Sequence, residues 1–254
     1  MLEALAVLAA GVWAGAINTV VGSGTLVTFP VLLAVGYPPV VANVSNNIGL
    51  IGGTMSGVWG YRRELAGQRS RIWKFGSMSL LGGITGAILL LQLPDDAFEV
   101  IVPVLIAIAL VLIVLQKRLQ AWIAARRAAA GESGRAGDHD GPFVRLAVFG
   151  TGVYGGYFGA AQGIILLSFL GLALDDELQR INGLKNVLAG TVNLVAGVVF
   201  LFIADISWTP ALLIFAGAVL GGQLGARYGR RLPPDALRAL IVVVGLAAIV
   251  QLVR

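Results

Sequence analysis

Long apolar runs, separated by short polar stretches, make up most of this chain. Eight of them, at Glu3–Val21, Val41–Tyr61, Ile72–Leu93, Ala97–Gln116, Phe143–Ala160, Ile181–Ile203, Trp208–Arg227 and Asp235–Val253, are about 18–23 residues long. A helix crossing about 30 Å of hydrocarbon needs roughly 20 such residues, so the pattern predicts eight long transmembrane helices. Two other apolar runs, Gly24–Gly36 and Gly163–Leu174, are about a dozen residues each, roughly 18–20 Å as helix and too short to span. Each follows a full-length run across a break, Gly22-Ser23-Gly24 in one case and Ala161-Gln162-Gly163 in the other. Short, glycine-interrupted segments at corresponding places in two halves read as broken or re-entrant elements beside a transport site.

The two halves correspond residue by residue. Shifting the chain by 139 positions, without a gap, places Gly11 on Gly150, Gly24 on Gly163, Asn43 on Asn182 and Asn47 on Asn186. Leu81-Gly82-Gly83 then meets Leu220-Gly221-Gly222, Gly86-Ala87 meets Gly225-Ala226, and Leu93-Pro94 meets Leu232-Pro233. Paired asparagines and a Leu-Pro pair at one constant offset indicate a duplication. The expected organisation is a first membrane repeat over residues 1–116, a linker over 117–142 and a second repeat over 143–254. The linker is Ala/Gly/Arg-biased and loses its periodicity after about Ala130, which suggests a flexible cytoplasmic connection.

Composition agrees with the pattern: 57% of residues are hydrophobic and 12% charged, with a mean hydropathy of +0.88. A water-soluble domain of this size needs far more charge on its surface, so the chain is an all-α integral membrane protein. The start has no basic n-region and no convincing A-x-A cleavage site, and reads as a retained first helix. The net charge of +5 does not indicate nucleic acid, because the basic residues flank the membrane runs. They report topology instead. If each short segment adds a change of direction, 16 of the 18 basic residues face the cytoplasm, leaving Arg254 outside and Lys185 within a span. Eight simple crossings would put 12 inside and five outside. The positive-inside rule favours the first arrangement, in which the pseudo-symmetric repeats are inverted and both termini are extracytoplasmic.

None of the 13 acidic residues lies deep in an apolar run, whereas one lysine, Lys185, does. An ionisable group in the membrane is costly and marks function by default, so a lone cation without carboxylates suits a path for an anion. The bland alternative is that Lys185 snorkels to the cytoplasmic surface. Gly22 and Gly24 free the backbone to break the helix and turn N–H groups inward, where they bind anions without a formal charge. Ser23 and Thr25 add hydroxyl donors, and Gln162, beside Gly163, adds an amide in the mirror position. Close helix packing would equally call for such small residues. Asn43 and Asn47 share a helix face, as do Asn182 and Asn186; they line a site or bond the broken backbone. Asn46 aligns with Lys185, so the symmetry is broken by one charge. Arg227, Arg230 and Arg231 read as cytoplasmic anchors, and the tryptophans as membrane-interface residues.

These motifs resemble the TauE/SafE sulfite exporter family of membrane permeases, over about nine tenths of the chain. The likeness rests on GAINTVVGSGTLVTFPVLLAVGYPPVVANVSNN (15–47), GVYGGYFGAAQGIILLSFLGL (152–172), NGLKNVLAGTVN (182–193) and GAVLGGQLGARYGRRLP (217–233). It implies a permease for sulfite, an organosulfonate or a related sulfur oxyanion, working by export and alternating access. The chain departs from the family at Gly22-Ser23-Gly24-Thr25, where a run of glycines is common. It departs again at Ser45-Asn46, in place of a frequent Thr-Asn pair, and at Ala161-Gln162-Gly163, in place of a Gly-Pro-Gly-like turn. These departures bear on the substrate rather than the fold.

Rival functions lack their chemistry. The single histidine, His139, lies in the linker, no H-E-x-x-H occurs, and there is no cysteine, which argues against membrane-embedded proteolysis and thiolate metal sites. A cation transporter or a proton-driven pump calls for buried carboxylates, and none is evident in the apolar runs. The expected partners are a small anion and the lipid bilayer, with no cofactor, no structural metal and no nucleic acid. The alternatives are an anion channel or another small-solute or metal-ion permease.

Overall fold

In the computed structural model, which describes residues 1–130, 141–228 and 234–253, every regular element is a helix. In chain order they are α1 (Leu2–Val20), α2 (Thr25–Ala34), α3 (Pro39–Gly60), α4 (Arg69–Gln92), α5 (Asp95–Ala130), α6 (Pro142–Tyr157), α7 (Gln162–Ala173), α8 (Leu178–Ile203), α9 (Trp208–Tyr228) and α10 (Pro234–Val253). Among the described residues, five stretches are long and apolar enough to cross a membrane: α1, α4, residues 100–119 of α5, α8 and α9. The two runs expected to be short are α2, with 10 residues, and α7, with 12. Helix α5 continues past Gln116 to Ala130, so the start of the expected linker is helical. The rest of that linker up to residue 140, with His139, lies outside the described residues, as do Arg230, Arg231 and the Leu232-Pro233 pair.

The helices of one half pack mainly on those of the other. Helix α1 lies along α9, and α6 lies along α4; α3 contacts α9, and α8 contacts α4; α2 touches α10, and α7 touches α5. Under the 139-residue offset each of these pairs maps onto its counterpart. The matched glycines explain the closest approaches. A side chain begun at Gly221 would put its Cβ 1.9 Å from the Val12 carbonyl oxygen, and one at Gly86 would lie 2.0 Å from that of Val153. Lipid tails are as apolar as Leu, so such helices associate through backbone proximity, and small residues are what permit it.

Large apolar side chains cover the outside: Trp13, Trp59, Trp122 and Trp208 are exposed, and Trp73 is 78% exposed. In water that surface would be a liability; against lipid it is the solvated face. Inside, Phe29 of α2, Phe158 after α6 and Phe98 of α5 meet edge to face, with ring centroids 5.3 and 6.4 Å apart for Phe29–Phe158 and Phe98–Phe158. This aromatic group joins α2, α5 and the α6–α7 connection beside the break in the second half.

Candidate functional site

The two breaks touch. The Gly163 N–H donates to the Gly22 carbonyl at 3.0 Å, and a Cβ on either glycine would lie 2.4–2.5 Å from the other's Cα. Both connections use left-handed backbone at equivalent positions: Gly22 has φ +87° and Ala161 has φ +59°. For Ala161 that conformation is strained, by roughly 1–2 kcal/mol, and such strain persists where the surroundings over-determine it. One consequence departs from the sequence reading, which turned the glycine N–H groups toward a ligand: at Gly163 the N–H is taken by the opposite break. At these two glycines the backbones are in close contact.

The polar side chains divide into satisfied and unsatisfied groups. Asn46 accepts from the Thr28 hydroxyl and donates to Thr25 Oγ1 at 3.4 Å, binding α3 to α2. Asn43 Nδ2 donates to the Tyr157 carbonyl at 2.9 Å, at the end of α6. Asn182 Nδ2 donates to the Tyr61 hydroxyl at 2.8 Å, and Asn186 Nδ2 to the Thr19 carbonyl at 3.2 Å. The Gly24 N–H reaches Asn18 Oδ1 at 3.5 Å. Against these, Ser23 Oγ, Gln162 Nε2, Asn47 Oδ1 and Asn182 Oδ1 are buried without a hydrogen-bond partner. Ser23 and Gln162 occupy equivalent positions, one beside each break. A buried polar group left unmade costs about 1–3 kcal/mol, so two at matched places ask for an explanation.

Lys185 is 1% exposed and the only charged side chain among the described residues that is buried. It does not snorkel. Its Nζ donates to the carbonyls of Asn18 at 3.3 Å and Thr19 at 3.2 Å, in the last turn of α1. Those carbonyls form the negative end of a helix, a favourable place for an ammonium. The offset explains why the lysine reaches across. Its counterpart Asn46 bonds Thr25 and Thr28, but the residues of α7 equivalent to these threonines are Ile164 and Leu167, which have no side-chain acceptor. An ammonium has three donors, and the two carbonyls use two of them.

Sequence reasoning missed several members of this assembly. Asn18 and Thr19 are polar residues at the end of an apolar run, a signal present but not used. Thr28 and Tyr61 carry no motif. A second polar cluster was missed altogether. Asp176, between α7 and α8, is ion-paired with Arg71 of α4 and, at 2.8 Å, with Nε of Arg180. Burial alone pushes the Asp176 carboxyl up. Hydrogen bonds from Arg71, Arg180 and the Glu177 N–H outweigh it and hold the carboxyl below its ordinary range. Among the described residues no group of His, Cys, Asp and Glu side chains is arranged to hold a metal ion.

The family described as Sulfite exporter TauE/SafE matches residues 7–252. The chain is 29% identical over 248 residues to the "Probable membrane transporter protein ORF9" of Sinorhizobium sp, covering 94% of this chain and 88% of that one. It is 27% identical over 237 residues to the "Probable membrane transporter protein YfcA" of Escherichia coli (strain K12), covering 91% and 82%. A "Probable membrane transporter protein" of Haemophilus influenzae is 28% identical over 252 residues, covering 95% and 91%. No solved structure matches. With the family match spanning nearly the whole chain and full-length relatives named as transporters, this multi-pass membrane protein belongs to the TauE/SafE sulfite exporter family of membrane transporters.

Proposed function

We propose that the protein is a permease for a small sulfur oxyanion, such as sulfite or an organosulfonate, which it exports by alternating access. The observations that carry this reading are the buried Lys185 amine on the last turn of α1 and the unpartnered donors at the two breaks. Lys185 of α8, whose Nζ sits on the last turn of α1, is the only buried Lys, Arg, Asp or Glu among the described residues. Ser23 Oγ and Gln162 Nε2 flank the junction without a partner. An oxyanion leaving water needs positive potential and several donors, and this cluster has both. In the binding state Lys185 retains its ammonium contacts to α1 or exchanges them for the anion. Asn46, Asn47, Asn182 and Asn186 supply neutral donors around it, with Gly22–Thr25 and Gly163 forming the walls.

Topologically, eight long spans and the two short segments are arranged as inverted repeats over residues 1–116 and 143–254, joined by 117–142 on the cytoplasmic side. The crosswise pairing of equivalent helices supports this, as does the placement of basic residues. Alternating access then rocks one repeat against the other about the Gly22–Gly163 contact.

Counterflow in proteoliposomes, loaded with sulfite, thiosulfate, sulfate or methanesulfonate, tests the reading. Exchange of at least one sulfur oxyanion is expected. Lys185→Met preserves length and removes the charge; hydrogen bonds to charged groups contribute about 1.5–3 kcal/mol, so apparent affinity falls roughly 10–100-fold. Normal insertion with the parent's transport rate would leave Lys185 as a helix-end clamp and the proposal without its main support.

A further inference from the structure

The ion cluster around Asp176 ties the two halves together at one end of the molecule. Arg71, in the first turn of α4, and Arg180, in the first turn of α8, share the Asp176 carboxylate. Arg180 also donates to the Ala66 carbonyl at 3.1 Å, while Gln68 Nε2 donates to the Arg180 carbonyl at 3.0 Å. The α3–α4 connection of the first half is thereby latched to the α7–α8 connection of the second. Among the described residues, the equivalent positions at the other end carry none of these charges. Under the offset, Asp176 corresponds to Tyr37, Arg180 to Val41 and Arg71 to Pro210. The junction there has Pro38 and Pro39 beside Ala204 and Asp205, and one hydrogen bond from the Ser207 N–H to Ser45 Oγ at 3.0 Å. A device at one end only is not a requirement of the repeated fold.

Beside this latch is a cavity of about 440 Å³ whose lining includes Ser70, Arg71, Lys74, Asp176 and Arg180. Arg71 and Arg180 hold the Asp176 carboxylate at the edge of this cavity, at the N-terminal end of a 24-residue helix whose dipole adds positive potential. The arginine pair is half-buried, which keeps it within reach of an ion and limits screening. A guanidinium fork recognises planar or pyramidal oxyanions as it recognises carboxylate, so the Asp176 side chain occupies the place that such an anion fits.

We propose that this cavity is a second anion site, in which a small sulfonate- or sulfite-type oxyanion replaces Asp176 on Arg71 and Arg180 and so unlatches the two halves at that end. The site rests on the anion-permease reading for its ligand class, and it adds a coupling: the substrate itself releases the tie between the two halves at that end. An anion that binds the arginines better in the unlatched state shifts the equilibrium toward that state, as any ligand with differential affinity does.

The chain has no cysteine, so spin labels at Ala66→Cys and Glu177→Cys report the latch distance cleanly in reconstituted full-length protein. The probe is methanesulfonate, compared with chloride at equal ionic strength to cancel screening. Methanesulfonate is expected to lengthen the distance by roughly 5 Å or more, the scale of a one-turn shift between elements. Asp176→Asn is expected to show the long distance without any anion, and Arg180→Gln no response to methanesulfonate. The response persists in Lys185→Met, because the central cluster is separate. Equal distances in methanesulfonate and chloride overturn the proposal, and so does a short distance in Asp176→Asn. Counterflow of sulfur oxyanions with an unresponsive latch removes this site and leaves the permease reading. An anion-responsive latch in a protein that exchanges none of the anions removes the permease reading and leaves the site.

Discussion

Individual residues differ sharply in what surrounds them, although hydropathy places them in similar company. Asn46 and Lys185 are equivalent by position, yet one is held by two threonine hydroxyls and the other by two helix-end carbonyls. Gln162 presents the cleanest case for a ligand-directed group, since its Nε2 has no partner and the side chain is 4% exposed. If that donor serves a ligand, Gln162→Leu separates stability from transport. Removing an unmade buried donor costs nothing and recovers up to about 1–3 kcal/mol, so the unfolding midpoint in detergent is expected to hold or rise. Counterflow is expected to fall. A drop in both would instead mark Gln162 as a packing residue of the α6–α7 corner, where it lies against Gly155.

At the level of elements, the repeat is written in the residues that let helices approach. Gly221 and Gly86 each bring a helix against the backbone of its partner, and neither has room for a side chain. Gly221→Leu and Gly86→Leu are expected to destabilise the fold by about 1–3 kcal/mol each or more, as overpacking does, read as a lower thermal midpoint. Gly150→Leu is the control, because a Cβ there meets nothing within 4 Å. A midpoint for Gly221→Leu equal to that of Gly150→Leu would show that the α1–α9 contact does not hold the halves together. The short helices follow a different logic. Their length is set by the glycine-bearing breaks before them; the Gly22–Gly163 contact joins the two breaks, and Asn46 of α3 holds α2 through Thr25 and Thr28.

The whole molecule is two interlocked halves, and its orientation in the bilayer is the largest-scale statement to test. The inverted arrangement places Arg63, between α3 and α4, on the cytoplasmic side and Asp205, between α8 and α9, outside. Both side chains are exposed, and the absence of native cysteine makes single-cysteine labelling direct. An impermeant maleimide added to intact cells is expected to label Asp205→Cys and to spare Arg63→Cys until the membrane is opened. The reverse pattern sinks the orientation, and labelling of both from outside sinks the inverted topology. The same orientation puts the Arg71–Asp176–Arg180 latch at the cytoplasmic end.

The sequence alone determined the class, the duplication and the positions of the two breaks. Hydropathy runs, a constant offset and glycine punctuation are properties of neighbouring residues or of a simple shift along the chain. It also singled out Lys185, because a lone cation in an apolar run is conspicuous whatever surrounds it. What the cation touches was decided by tertiary structure: Lys185 reaches α1 because Ile164 and Leu167 of α7 supply no acceptor, while Asn18 and Thr19 arrive from 167 and 166 residues away with helix-end carbonyls. The use of the Gly163 N–H by Gly22 was likewise invisible, since either glycine alone suits both packing and anion binding. The latch was hidden for the same reason. Arg71 and Asp176 are 105 residues apart, and each looks like an ordinary loop charge until folding of the two halves brings a carboxylate between two arginines.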